Sequence, residues 1–393
     1  MMKKSWGPLA VAVMAVVGCG QKAPEPAPAP APAPAPAASA PASAPPPKPA
    51  EEKVLNIYNW PDYIPEGMIA EFEKETGIKV NYDTFETNEA LHAKLVAGNT
   101  GYDIVVPGSV FAKPQIEAGF FQPLEKGEIK NLANLDGTIM ATLAKNTDPG
   151  NKYLVPWAWG FTTVGLNVTK AKKALGKMPM PENAWDLVFD PKYTSKLKSC
   201  GIAYLDSPTE IIPVALHYIG KDAYSNNPED YKAATDMLMK VRKDVRIFSS
   251  TMIDDIASGK ACAVIGWSGD INQAATRAAE NKSKDEIQSL LPSTGALIFF
   301  DTMAIPKDAK HPGNAHKFID FYLRVENAAR MSNEMGYPTA NKAAIEKVKP
   351  EIAGNKTIFV DADYMTKMIP PSSFSNEARE AMATAYNAFK KGK

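Results

Sequence analysis

The chain has 393 residues, and its 44 Lys and Arg are balanced by 44 Asp and Glu. Beyond residue 50 the count is 40 against 43, so no basic surface marks a nucleic-acid binder. The four histidines are not clustered at ligand spacing, which speaks against a metal receptor, and no cofactor is expected.

Lys3 and Lys4 form a positive start, and Leu9 to Val17 is an apolar stretch too short to span a bilayer. Residues 1–18 therefore read as a signal peptide. Val16-Val17-Gly18-Cys19 resembles the lipobox of bacterial lipoproteins, which implies that Cys19 becomes a lipidated N-terminus and tethers the protein to a membrane. From Ala23 to Ala50, 12 of 28 residues are Pro and most others Ala, so residues 19–50 read as an extended polyproline tether. At roughly 3.1 Å per residue it would reach about 85 Å. The remaining 343 residues exceed what one core usually holds, and two domains are expected. No later apolar run is long enough to cross a membrane.

Val54 to Tyr58 is strand-like, and Pro65 to Thr76 has Met68, Ile69 and Phe72 on one side of a helix that Gly77 stops. Ile78 to Tyr82 reads as a second strand, Asn88 to Ala97 as a second helix and Asp103 to Val106 as a third strand. This βαβαβ order predicts a parallel α/β sheet, in which ligands bind beyond the carboxyl ends of strands. The loops at Asn59 to Tyr63 and Pro107 to Phe111 occupy such positions. A second α/β pattern runs from the strand-like Phe161 to Val168 through Gly201 to Leu205, the helix Pro208 to Ile219, and Ala261 to Gly266. Ala296 to Asp301 is a further strand, followed by one helical stretch from Asn314 to Glu334 and the turn Gly336-Tyr337-Pro338. Cys200 and Cys262 form an even pair in an oxidising compartment and suggest a bridge; two buried thiols are the alternative.

The element ends carry Trp60, Asp62, Tyr63, Glu210, Trp267, Asp270, Phe299, Asp301 and Tyr337, aromatics and carboxylates without Lys or Arg. Aromatic faces attract ammonium groups and carboxylates give them charge-assisted hydrogen bonds, so such a set suits a cation. Taken singly, each residue is also explained as core, turn former or helix cap. His92, His217, His311 and His316 lie outside these loops, and no nucleophile and base stand together, so an enzyme is not expected. A receptor for anions would call for Arg, Lys or a helix N-terminus at the site.

Asn59-Trp60-Pro61-Asp62-Tyr63-Ile64, Gly266-Trp267-Ser268-Gly269-Asp270, Phe299-Phe300-Asp301 and the run from Tyr337 to Ala344 resemble the signatures of bacterial polyamine-binding proteins, the receptors of putrescine and spermidine ABC importers. The stretches Phe72 to Val80 and Lys198 to Gly201 share the resemblance. It implies a two-lobed type II periplasmic-binding fold with crossing hinge strands. Lobe 1 would comprise 51–158 and 283–336, and lobe 2 161–280 and 339–393. It assigns Trp60, Tyr63, Trp267, Phe299 and Tyr337 to an aromatic box, and Glu210, Asp270 and Asp301 to amine binding. Asp62 matches the loop motif, as a ligand residue or as a holder of the turn.

Pro61 stands where many relatives have Ser or Thr, Gly108 where they have an amine-binding Ser, Ser207 where spermidine-preferring ones have Asp, and Phe299 where some have Trp. A diamine, putrescine, is favoured, with spermidine or cadaverine open. The implied partners are the polyamine, a membrane permease and, through the lipid, a membrane; a monomer is expected. A polyamine sensor without transport, or a receptor for another small cationic ligand, is the alternative.

Overall fold

The computed structural model describes residues 51–392. The signal peptide expected over 1–18, the lipidated Cys19 and the tether to residue 50 lie outside them. No helix among the described residues is long and apolar enough to cross a membrane.

Among the described residues, nine strands form two sheets. In the first, β1 (Val54–Asn59) lies between β2 (Lys79–Thr84) and β3 (Ile104–Val105), parallel to both. Leu55 and Ile57 alternate inward along β1 and are fully buried, as a half-covered strand requires. The helix Met68–Thr76 packs Met68 and Phe72 beneath them and ends at Gly77, whose φ of 67° is the left-handed conformation that closes a helix. The second sheet runs β6 (Ile247–Phe248), β5 (Ile202–Tyr204), β7 (Ala263–Trp267), β4 (Val155–Asn167), β8 (Ile287–Ser289). β5 is parallel to β6 and β7, while β4 is antiparallel to β7 and β8. The expected α/β class holds, with two lobes each built on its own sheet.

Two strands tie the sheets together. β4 is 13 residues long and buried throughout, beginning six residues before the strand expected from sequence. Its first half pairs with β9 (Leu297–Met303) and its second half with β7 and β8. Ala304, just past β9, bridges to Val105 of the first sheet, and Asp301 of β9 bridges to Gly108, three residues beyond β3. Trp157, Trp159 and Phe161 of β4 belong to one core with Leu55, Phe72 and Phe318, whereas Val164 and Leu166 belong to another with Trp185, Tyr204 and Phe389. Truncating a buried aromatic such as Trp157, stacked on Tyr322 at 4.1 Å, would cost about 3 to 5 kcal/mol.

Three expectations need correction. The helical stretch from Asn314 to Glu334 is two helices, Pro312–Tyr322 and Val325–Met335. The chain turns extended at Arg324, and the freed Leu323 carbonyl accepts hydrogen bonds from Asn134 Nδ2 (3.2 Å) and Asn341 Nδ2 (2.7 Å). The second passage between lobes does not fall at 280–283: β8 still pairs with the second half of β4 and Ile287 packs against Val264 and Ile271, so the chain crosses between β8 and β9. Residues 339–353 do not join the second lobe. Ala340 lies in the first core, and Ala344 and Val348 pack on Ala328 and Ala329 of the helix Val325–Met335. The chain enters the second core only around Phe374, where the helix Asn376–Lys391 docks.

The Sγ atoms of Cys200 and Cys262 lie at disulfide distance, 2.02 Å, joining the start of β5 to the start of β7.

Candidate ligand-binding site

Strand ends converge on one cavity of about 170 Å³, and all nine residues expected at a ligand site line it: Trp60, Asp62, Tyr63, Glu210, Trp267, Asp270, Phe299, Asp301 and Tyr337. Trp60, Asp62 and Tyr63 follow β1. Trp267 ends β7, and Ser268–Glu280 begins at once, which puts Asp270 in its first turn. Glu210 occupies the first turn of the helix Pro208–Tyr218, which follows β5. Phe299 and Asp301 alternate with Phe300 on β9, so both reach the cavity while Phe300 turns into the core.

The aromatic walls hold one another in place. Tyr63 and Tyr337 meet edge to face at 4.8 Å, and Trp60 meets Trp267 likewise at 5.8 Å. Trp60 Nε1 donates to the Val106 carbonyl (3.0 Å), and Trp157 Nε1 donates to the Tyr63 carbonyl (3.1 Å), tying the loop to the core. Gly269 has no side chain because none fits: a Cβ there would lie 2.2 Å from the Tyr337 ring.

Each acid has one hydroxyl partner. Tyr63 Oη donates to Asp301 Oδ2 at 2.8 Å, Tyr337 Oη to Asp270 Oδ1 at 2.6 Å and Thr162 Oγ1 to Glu210 Oε2 at 2.6 Å. These bonds favour the ionised acids, but removal from water outweighs them. Burial pushes the Asp301 carboxyl up to about 8, with the charges of Glu210 and Asp270 adding to the rise. Burial likewise pushes Glu210 to about 7, aided by Glu89, and Asp270 to about 7, aided by Asp62. Three buried acids thus share one space, and a positive charge entering it would favour the ionised form of each.

The sequence reading found no Lys or Arg in the set, yet Arg277 lines the cavity. Its charge is already committed, to Asp62 Oδ1 at 2.8 Å and Asp254 Oδ1 at 3.1 Å. Asp62, at a φ of 50°, points its carboxylate to this arginine and so holds the turn and the lobe contact. Thr209 Oγ1 donates to Glu89 Oε1 (2.8 Å), a second contact between elements of the two lobes.

Sequence reasoning also missed Asn88 and Thr162, which belong to no motif. Asn88 begins the helix Asn88–Ala97, and its Oδ1 accepts from Gly108 N at 2.9 Å. A Cβ at position 108 would lie 2.9 Å from its amide nitrogen, so Asn88 occupies the space beside Gly108. Gly108, Ser109, Val110 and Phe111 line the cavity, but not from a loop as expected: Gly108 caps the helix Ser109–Glu117, whose first turn holds the other three. His92, His217, His311 and His316 do not line it.

Fold and site together define a two-lobed solute receptor. The chain belongs to the bacterial extracellular solute-binding proteins, whose family model matches residues 67–359. It is 43% identical to the putrescine-binding periplasmic protein PotF of Escherichia coli K12 over 346 residues, 88% of this chain and 93% of that protein. It is 42% identical to the putrescine-binding periplasmic protein SpuD of Pseudomonas aeruginosa UCBPP-PA14 over 345 residues, 88% of this chain and 94% of that one. The solved structure of the spermidine/putrescine ABC transporter substrate-binding protein PotD from Streptococcus pneumoniae superposes with a TM-score of 0.69 at 26% identity, covering 87% of this chain and 99% of that one. The resemblance read from the motifs is borne out, and these relatives are binding proteins, not enzymes.

Proposed function

We propose that this protein is the extracytoplasmic receptor of a polyamine ABC importer, capturing a protonated linear diamine, putrescine foremost, and presenting it to a membrane permease. The observation that carries this reading is the convergence of Glu210, Asp270 and Asp301, all with raised pKa, on an aromatic cavity in which Arg277, the one Lys or Arg lining it among the described residues, is paired with Asp62 and Asp254. A diamine supplies the missing charges at its ends. Its methylenes lie against Trp60, Trp267, Phe299 and the tyrosines, while the ammonium groups meet carboxylates and ring faces, each ring contact worth about 0.5 to 2 kcal/mol.

Capture involves hinge motion of two bodies. In this reading the first comprises 51–158 and 298–353 and the second 163–290 and 370–392, joined through β4, the β8–β9 passage and the segment after 353. The contacts Arg277–Asp62 and Thr209–Glu89 are made on closing. Named relatives that bind putrescine in the periplasm support both ligand and compartment. Lys3, Lys4, the apolar stretch before Cys19 and the Pro-rich run support a cleaved, lipid-anchored start, and the Cys200–Cys262 pair a disulfide formed outside the cytoplasm.

Calorimetric titration with putrescine, cadaverine, spermidine and an amino-acid control tests the assignment. Tight binding of a diamine and none of the amino acid is expected. Failure of every amine to bind would overturn it.

A further inference from the structure

The two lobes carry charge unevenly. In the first, residues 51–158 and 298–353 hold 17 Lys and Arg against 23 Asp and Glu, whereas in the second, 163–290 and 370–392 hold 20 against 18. The cations of the second lobe gather at one end of its sheet. β5, β7 and β8 begin there and β4 ends there, because β4 is antiparallel to β7 and β8 and β5 is parallel to β7. Trp267, at the other end of β7, lines the amine cavity, so the basic end is the one remote from it.

Hydrogen bonds knit the loops of this end into one surface. Arg246 Nη2 donates to the Lys198 carbonyl at 2.8 Å and its Nη1 to the Lys260 carbonyl at 3.2 Å, while Lys170 Nζ donates to the Gly259 carbonyl at 3.0 Å. Lys172 and Lys173 follow Lys170 on the helix Val168–Leu175, and Lys196 lies at the end of the helix Pro191–Leu197. Lys282 and Lys284 precede β8, beside Asp285, which accepts from Asn167 Nδ2 at 3.0 Å.

Most acids of this end are already taken. Lys198 pairs with the buried Asp244 at 3.3 Å, Lys260 with the buried Asp255 at 3.9 Å and Lys170 with Asp285 at 3.7 Å. Lys172, Lys173, Lys196, Lys282 and Lys284 are exposed and make no ion pair among the described residues, and the Arg246 guanidinium bonds to carbonyl oxygens. Against these six cations stand Glu280 and Glu286, and Glu286 accepts from Gln288 Nε2 at 2.6 Å. Neighbouring like charges repel and add nothing to folding, so the surplus calls for an anionic partner. The lysines are spread over a helix and several loops, and lysine is a flexible point charge without the planar fork that grips a single phosphate. Such a surface matches many phosphates in a plane, as at a bilayer.

We propose that this end of the second lobe docks on the anionic phospholipid headgroups of the membrane. The inference takes from the reading above only the tether, which at about 85 Å keeps the lobe within reach of the bilayer that holds Cys19. Attraction of about fivefold per lysine then binds the lobe reversibly. The amine cavity, at the opposite end of the sheet, stays open to solute.

The test is sedimentation with lipid vesicles of the whole chain carrying Cys19→Ser, which takes no acyl chain. Vesicles of phosphatidylglycerol mixed with phosphatidylcholine should retain the protein, phosphatidylcholine alone should not, and raising salt from about 50 to about 500 mM should release it. Lys172→Glu with Lys173→Glu should weaken retention by roughly tenfold or more. Lys282→Glu with Lys284→Glu should do the same, and decides the matter if the first pair fails to fold. The equal change in charge at Lys130→Glu with Lys145→Glu, exposed sites of the first lobe, should leave retention as it is. No retention by the mixed vesicles, equal retention by neutral ones, an equal loss from the first-lobe pair, or capture of soluble inorganic polyphosphate in place of vesicles would overturn the proposal. A failure to bind amines would leave the vesicle readout intact and count against the amine site only.

Discussion

Arg277 reaches from the helix Ser268–Glu280 to Asp62, on the turn after β1, with 2.8 Å between Nη2 and Oδ1. The same guanidinium holds Asp254 at 3.1 Å, so one side chain from the second lobe fastens the loop that carries Trp60 and Tyr63. Asp62 and Asp254 are more than half exposed, which limits the contact to about 0 to 1 kcal/mol. Asp62→Asn should accordingly weaken diamine binding by about fivefold or less, mostly through faster release, and high salt should erase the difference. Stopped-flow fluorescence of the cavity tryptophans checks it; a hundredfold loss would mean that Asp62 contacts the ligand directly.

Asp301 and Asp270 are expected to behave differently from Asp62. Asp270→Asn or Asp301→Asn removes a buried charge-assisted partner worth about 1.5 to 3 kcal/mol, a loss of roughly 10- to 150-fold in diamine affinity. The unliganded variants should melt no lower than the parent, because the charge they lose is one that burial disfavours. Calorimetry beside a melting curve separates the two effects.

Binding should depend on pH in a defined direction. Asp301 is pushed to about 8 and Glu210 and Asp270 to about 7, so a cation must displace protons from them, and diamine affinity should fall as pH drops from 8 to 6. The heat of binding should vary with the ionisation enthalpy of the buffer, reporting protons released. In the unliganded protein the linkage runs the other way. A carboxyl raised above its unfolded value of roughly 4 contributes stability below that value and loses it as pH rises through 7 to 8. The unliganded protein should therefore gain less stability from putrescine at pH 5.5 than at pH 8.5. Equal gains at both would contradict the shifts.

Gly269→Ala tests the packing of the site without touching an acid. The added methyl would lie 2.2 Å from the Tyr337 ring, which must move and give up its 2.6 Å bond to Asp270. Diamine affinity should drop by at least tenfold with circular dichroism unchanged, since the ring faces the cavity.

A bridge between Cys200 and Cys262, as proposed, would close a loop spanning 62 residues and be worth about 4 kcal/mol on the chain-entropy account. The melting temperature should fall under a reductant, with thiol labelling to show that both sulfurs are free. A melting curve that does not move would mean that the pair adds no constraint.

The alternation of strand and helix from Val54 to Val106 was legible in the sequence because it rests on local periodicity, and so were the loaded strand ends at Trp60, Trp267 and Asp301. The split of the helical stretch at Leu323 was not. Asn134 and Asn341, which take up the freed carbonyl, act on it from 189 and 18 residues away. The same holds for the extension of β4 to Val155, whose partner β9 lies more than a hundred residues on.

The sequence by itself determined the inventory: acids and aromatics at the carboxyl ends of strands, few charges to spare, and motifs shared with amine receptors. Only the tertiary structure decided that Tyr63 binds Asp301 across 238 residues, that Tyr337 binds Asp270 across 67, and that Arg277, invisible as a site residue, pairs with Asp62 at the cavity wall. The physical reason is that side-chain type is a local property, whereas burial and the distance between charges, which set the pKa of those acids and hence their demand for a cation, exist only once the two lobes are folded around the same space.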